Sequence, residues 1–171
     1  AYGDVEYYRP KSVYWWLAYC IDNYLASCQL CNQKFKKAFF PIKNRKMREP
    51  VIRRDTTDAF IDSKAGTIAP HPLDSNQVDK FIQYHKQERP LLLNPYFDDP
   101  TEYVAWRVDD VLGEVEFIAT PSNTDAEPFV MAAIEYYGLN RRELLDHRHR
   151  TYKLYRQFKR TLNEPRIREE T

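Results

Sequence analysis

Two thiols three residues apart, Cys28 and Cys31, have the spacing in this sequence that most directly suggests chemistry. A Cys-x-x-Cys turn brings two thiolates to one edge of a metal, which is half of a tetrahedral zinc site. Such a half-site needs two further ligands. None of His71, His85, His147 or His149 stands at a spacing that supplies them. His147 and His149, two apart on an expected helix, point away from each other and do not make a metal pair. The two thiols serve equally well as structural cysteines or as a redox couple. With Cys20 the cysteines number three, which cannot pair off, and an intracellular chain keeps its thiols reduced.

The second chemical signal is charge. Net charge is only +1, but residues 34–54 carry nine Lys or Arg against the single acid Glu49. Residues 98–127 carry nine Asp or Glu against the single base Arg107. A basic tract of this density beside an active site can hold a phosphate backbone by counter-ion release. Two solvated faces of opposite sign explain the same pattern, and the acidic half can also face a basic partner.

The elements that must position these groups follow from periodicity. A length of 171 residues suits one domain, or a compact core with an extension, and 43% hydrophobic and 15% aromatic content argue against disorder. No apolar run approaches the roughly 20 residues that span a bilayer, and no signal-peptide pattern is present, so a soluble, cytoplasmic protein is expected. Asp4 to Tyr8 reads as a short strand. The aromatic stretch Ser12 to Cys28 reads as core, and Asn32 to Pro41 as a short helix ended by proline. Residues 43–74 read as a long connection. Asn76 to Glu88 reads as a helix with Val78, Phe81 and Ile82 on one face. "RPLLLNPYFDDP" reads as a buried apolar run closed by turns. Val104, Trp106 and Val108, then Val115 and Phe117, alternate about Gly113 as a β-hairpin. Two helices close the chain, with capping boxes expected at Thr124/Glu127 and Asn140/Glu143. Leu144, Tyr152, Tyr155 and Leu162 form a stripe on the second of them.

Taken in order, Val5 to Lys11, Trp16 to Tyr19, Asp22-Asn23, Cys28 to Asn32, Phe40-Pro41, Pro90 to Pro95, Asp98 to Pro100 and Gly138 to Arg141 resemble one family through most of the chain. The sequence is similar to the HNH, or ββα-metal, endonucleases of bacteria, in particular the small Septu- and retron-associated branch. The fold class implied is α+β. A ββα-metal core is expected over residues 1–49, and a mainly helical extension with a β-hairpin over residues 50–171, packed on the core or on a partner. The resemblance implies a catalytic Mg2+ or Mn2+ held by Glu6 and Asn32, and a middle Asn, Asn23, that fixes the loop and orients the base. It implies Cys28 and Cys31 as two of four structural Zn2+ ligands. Arg9, Lys11, Lys34, Lys36, Lys37, Arg45 and Lys46 are the expected contacts to DNA or RNA, and an ATPase is the expected protein partner.

The sequence departs from the family pattern twice. The family's other two zinc ligands come from a Cys-x-x-Cys before the first strand. Here the sequence begins at Ala1, just ahead of that strand, so a zinc-knuckle half is expected upstream. The alternative is a member that holds its core without a full zinc site. Second, Tyr7 stands where the family has its general-base His. A phenol, with an ordinary pKa of about 10, is a poor base at neutral pH. The leading expectation is therefore a nuclease in bacterial defence. The alternatives are an impaired nuclease fold kept as a binding or assembly module, and a redox or zinc regulator built on Cys28 and Cys31.

Overall fold

The computed structural model describes residues 3–163. Val5 and Tyr7 alternate with Asp4 and Glu6 at the two-residue period of an extended strand, and Gly3–Tyr7 forms β1. β1 pairs antiparallel with β2, Tyr24–Cys28, in a register that sets Glu6 opposite Leu25 and Tyr7 opposite Tyr24. The connection between them turns through two 3-10 helices and buries Tyr8, Tyr14, Trp16, Leu17 and Cys20. This is the core role expected of that stretch, although Trp15 and Tyr19 face solvent.

A short helix, Leu30–Lys36, follows β2 directly and is wound as a π-helix. It is shorter than the Asn32-to-Pro41 expectation because Lys37, whose N–H reaches back to Asn32 O, turns the backbone to φ 50. The helix is therefore stopped by a backbone reversal before proline can act.

Residues 43–74 are not one long connection. They contain α1, Asp58–Ile68, capped by Thr57, whose side chain accepts from the Phe60 N–H. α1 buries none of its residues, so it has no apolar period for a sequence reading to detect. α2, Ser75–Glu88, begins at an Asp74 cap and buries Phe81, His85 and Glu88, with Val78 and Ile82 half-buried beside them. Leu92 of the following apolar run is fully buried.

The expected hairpin is present as β3, Val104–Asp109, and β4, Glu114–Ala119, with Gly113 in the turn at φ +72. Trp106 lies opposite Phe117 and meets its ring edge-on at 5.5 Å. α3, Glu127–Tyr137, and α4, Arg142–Asn163, complete the order.

Neither expected capping box forms. α3 starts after Ala126 with no side-chain cap. Asn140 is taken by the hairpin: its Oδ1 accepts from Phe117 N–H and its Nδ2 donates to Phe117 O, both at 2.9 Å. One amide thus imitates a neighbouring strand, and it is spent before α4 begins. On α4 the buried residues are Leu145 and His149, while Tyr155 is 59% and Leu162 83% exposed, so the expected stripe is only partly used.

Residues before and after position 49 pack together. Tyr14, Trp16, Leu17 and Cys20 pack with Phe81, and with the half-buried Phe40, Met47, Ile68 and Phe97. The fold is mixed α and β with antiparallel pairs in two small sheets. No helix among the described residues is long and apolar enough to cross a membrane.

Candidate active site

The side of β1 that carries Asp4, Glu6 and Tyr8 turns inward, and the π-helix lies along it. Three residues of that helix reach the strand, Asn32 and Gln33 at its start and Lys36 one turn on. Asn32 Nδ2 donates to Asp4 Oδ2 at 3.0 Å and to Val5 O at 3.4 Å, and Gln33 Nε2 donates to the same Asp4 oxygen at 3.1 Å. Lys36 Nζ lies 2.8 Å from Glu6 Oε1 and donates to Tyr7 O at 2.7 Å. Glu6 is 2% exposed and Lys36 0%.

The third wall comes from far along the chain. Tyr137, the last residue of α3, donates its hydroxyl to Glu6 Oε1 at 3.1 Å. Burial, and then the charge on Glu6, push this phenol well above its ordinary value, so it is a fixed donor. Burial pulls the Lys36 ammonium down, and Glu6 opposes that pull. A buried carboxylate is tolerated here because a cation and a hydroxyl both face it.

The two expected metal ligands, Glu6 and Asn32, thus sit on the two facing elements, but each has its own partner. Their carboxylate and amide oxygens, with Asp4 added, are hard donors of the kind Mg2+ or Mn2+ takes. Such ions keep several waters and need only one or two carboxylates from the protein. The donor chemistry fits. Among the described residues, no group of three or more His, Cys, Asp or Glu is placed to hold a metal ion, and Cys28 and Cys31 stand without further thiolate or imidazole neighbours of that kind.

Asn23 is 1% exposed and spends its amide on the strand exit: Oδ1 accepts from Arg9 N–H at 2.7 Å, and Nδ2 donates to Arg9 O at 3.0 Å and to Leu17 O at 3.2 Å. Its amide thus ties the exit of β1 to the loop that carries Leu17. Strand alternation turns Tyr7 to the face opposite Glu6. There it meets Tyr24 edge-on at 5.4 Å, with Lys11 Nζ 5.1 Å from its ring centre.

Cys28 ends β2 and Cys31 lies in the first turn of the π-helix, their sulfurs 2.7 Å apart. Arg141 Nη1, from the turn before α4, approaches Cys31 Sγ at 3.4 Å. Burial raises the Cys28 thiol, but hydrogen bonds from the Cys31 side chain and backbone, and the Arg141 charge, hold it below the ordinary thiol value. Cys31 is held above that value by burial and by its bond to Cys28. The Phe35 ring packs under this corner. Gly138 is suited to it twice over, because its φ is +62 and a Cβ there would lie 2.5 Å from that ring.

Of the expected phosphate contacts, Lys11, Lys34, Lys37, Arg45 and Lys46 are exposed. Arg45 and Lys46 line a cavity of about 460 Å³ with Arg48, Thr67 and Tyr84. Arg9 and Lys36 are exceptions, and the surface expectation for them is corrected. The Arg9 guanidinium faces inward, giving Glu88 Oε2 hydrogen-bonding contacts of 2.8 Å from both Nε and Nη2 and lying 3.1 Å from His85 Nδ1. Tyr14 OH and Met47 N–H complete the Glu88 carboxylate.

Asp4, the ammonium role of Lys36, and Tyr137 escape the sequence reading of the site. The Asp4-x-Glu6 alternation and the Asn32/Lys36 spacing carry the signal for the first two. Nothing local could reveal Tyr137, because its partner lies 131 residues away.

No protein-family model matches this sequence, and no solved structure gives a significant match. Over 161 residues, covering 86% of this chain, it is 29% identical to Septu protein PtuB of Bacillus mycoides (strain KBAB4). The chain spans 41% of that relative's length, and across this span it is similar to a Septu protein.

Proposed function

We propose that the chain is a metal-dependent endonuclease of the HNH type, cleaving nucleic-acid phosphodiesters in bacterial anti-phage defence together with an ATPase partner. The observation that carries the reading is the strand–strand–helix unit in which Asp4 and Glu6 of β1 face Asn32 and Lys36 of the π-helix. The similarity to a Septu protein supports the defence setting. Glu6 and Asn32 are the residues that would hold Mg2+ or Mn2+, with Asp4 beside them. When bound, such an ion stabilises charge on the phosphate and on the leaving oxygen. Asn23 keeps the exit of β1 rigid through Arg9. Lys11, Lys34, Lys37, Arg45 and Lys46 attract the phosphate backbone without reading base identity.

One observation favours a second reading, a nuclease fold kept as a binding or assembly module. Tyr7 stands at the base position, faces away from Glu6, and leaves no dedicated base on the inner face of β1. A cleavage assay with Mg2+ and Mn2+ on plasmid, single-stranded DNA and tRNA separates the two readings, run beside Glu6→Ala. The nuclease reading expects metal-dependent cleavage that Glu6→Ala abolishes. Cleavage that survives Glu6→Ala refutes the site. Binding to the same substrates with no cleavage under either metal supports the module.

A further inference from the structure

We propose that Lys36 is a resident counter-cation of Glu6 that a divalent ion must displace, so that the hold of β1 on this ammonium sets the metal affinity of the site. The proposal rests on the metal-dependent reading above. Lys36 Nζ sits between a carboxylate oxygen, Glu6 Oε1 at 2.8 Å, and a backbone oxygen, Tyr7 O at 2.7 Å. That is an oxygen-lined cation cradle, made of the donors a hard metal ion prefers. It is already filled, by a side chain with no solvent exposure. The cationic and hydroxyl contacts of Glu6 both fall on Oε1, and a divalent ion approaching the carboxylate meets the ammonium's charge nearby. While the ammonium stays seated, its charge opposes the ion's binding.

The segment that carries Lys36 is built in a way that suits release. Leu30–Lys36 is a π-helix, a winding found mostly in single turns and frequently at functional sites. It is closed by Lys37 at φ 50, ψ −121, a conformation that costs an L-residue energy and is natural only to glycine. The strain thus lies one residue from the ammonium. Unwinding the helix end relieves it and withdraws Lys36 together. Seating of Lys36 and strain at Lys37 are therefore one state, and an open cradle with a relaxed Lys37 is the other.

The test measures Mn2+ affinity of the full-length protein by calorimetry or electron paramagnetic resonance at one pH, with circular dichroism as the folding check. Lys36→Met is expected to bind Mn2+ at least ten-fold more tightly than the unaltered protein, and adding Glu6→Gln is expected to remove the gain. Because Lys36→Met leaves Glu6 buried without its cation and can fail to fold, Lys37→Gly is the second variant. It removes the strain while keeping Lys36 seated, so it is expected to weaken Mn2+ binding several-fold. Unchanged or weaker binding in folded Lys36→Met, or unchanged or tighter binding in Lys37→Gly, overturns the proposal. If Glu6-dependent cleavage persists alongside such a result, the nuclease reading stands without it. If no variant binds Mn2+ and none cleaves, both fall.

Discussion

Replacing Glu88 by Gln keeps the shape of the side chain and removes its charge. The buried Arg9 guanidinium, 1% exposed, is then left without a counter-ion. Removing one partner of a buried pair costs about 3–5 kcal/mol, because the remaining charge stays out of water. For a chain of this size each kcal/mol moves the thermal midpoint by roughly 2–4 °C. The expected fall is therefore roughly 6–20 °C, and a loss of about 3–5 kcal/mol is a large share of the roughly 5–15 kcal/mol that holds a typical domain together. Urea unfolding followed by tryptophan fluorescence gives the free energy directly, since Trp16 is buried in the adjoining cluster. Arg9→Met strands Glu88 in the same way and is expected to cost a similar amount. The double variant Arg9→Met/Glu88→Gln keeps an acceptor for Tyr14 and Met47 and removes both charges. It is expected to recover about 2 kcal/mol or more of the summed single costs. A loss below about 1 kcal/mol in both single variants, or strictly additive costs, refutes the buried pair. Arg9 would then be free to meet phosphate, as its position beside Lys11 first suggests. The salt dependence of nucleic-acid binding gives an independent check. Loss of Lys11 or Lys34 is expected to lower the logarithmic slope by about 0.7–0.9 each, and loss of Arg9 to leave it unchanged.

Position 7 lies on the face of β1 opposite Glu6, so Tyr7→His is expected to leave metal-dependent cleavage unchanged; a rise of roughly 10² or more beside a metal-free control would show that position 7 does reach the reacting centre. Asp98 gives a pH signature: burial raises its carboxyl, but hydrogen bonds from His85 and Asn94 and the nearby Lys86 charge outweigh that and hold it below its ordinary value. A depressed carboxyl contributes stability in full above its unfolded value of about 3.9 and loses it as pH falls through the folded value. Urea midpoints should drop on acidification below about pH 4, and Asp98→Asn should flatten that limb; an unaltered limb would show that Asp98 is not held this way. Iodoacetamide is expected to modify Cys28 ahead of Cys31, and both ahead of Cys20, which is buried and pushed up to about 11. Arg141→Gln should slow the Cys28 reaction, and equal rates in the two proteins would remove Arg141 from the thiolate's surroundings.

Much of the architecture was legible where burial imposes a period. α2 shows Val78, Phe81 and Ile82, and the hairpin shows two alternating runs about Gly113, whereas β1 inverts the rule, with Glu6 buried and Val5 63% exposed. α1 was illegible because it has no fully buried residue and so carries no apolar stripe. Thr124 and Asn140 misled for a different reason. A capping residue is also a good bracket, and only the neighbouring Phe117 backbone decides which job Asn140 takes. In the site, Glu6, Asn23 and Asn32 stood out by family resemblance. Their partners did not, because charge counts place Arg9 and Lys36 on the surface by default. Burying a Lys or Arg needs a specific acid, here Glu6 or Glu88, whose location is a property of the fold.

The hydroxyl of Tyr137 and the guanidinium of Arg141 close a site whose first residue lies near the start of the described chain. A ribosome delivers that strand long before it delivers these two groups. Until synthesis reaches Tyr137, Glu6 lacks its hydroxyl partner, and until it reaches Arg141, Cys31 lacks its guanidinium. Closure of the site is thus a late event in synthesis, and such long-range contacts also form slowly in refolding. Fragments that end inside α3 carry the strand, the π-helix and both thiols, but without the wall that encloses them.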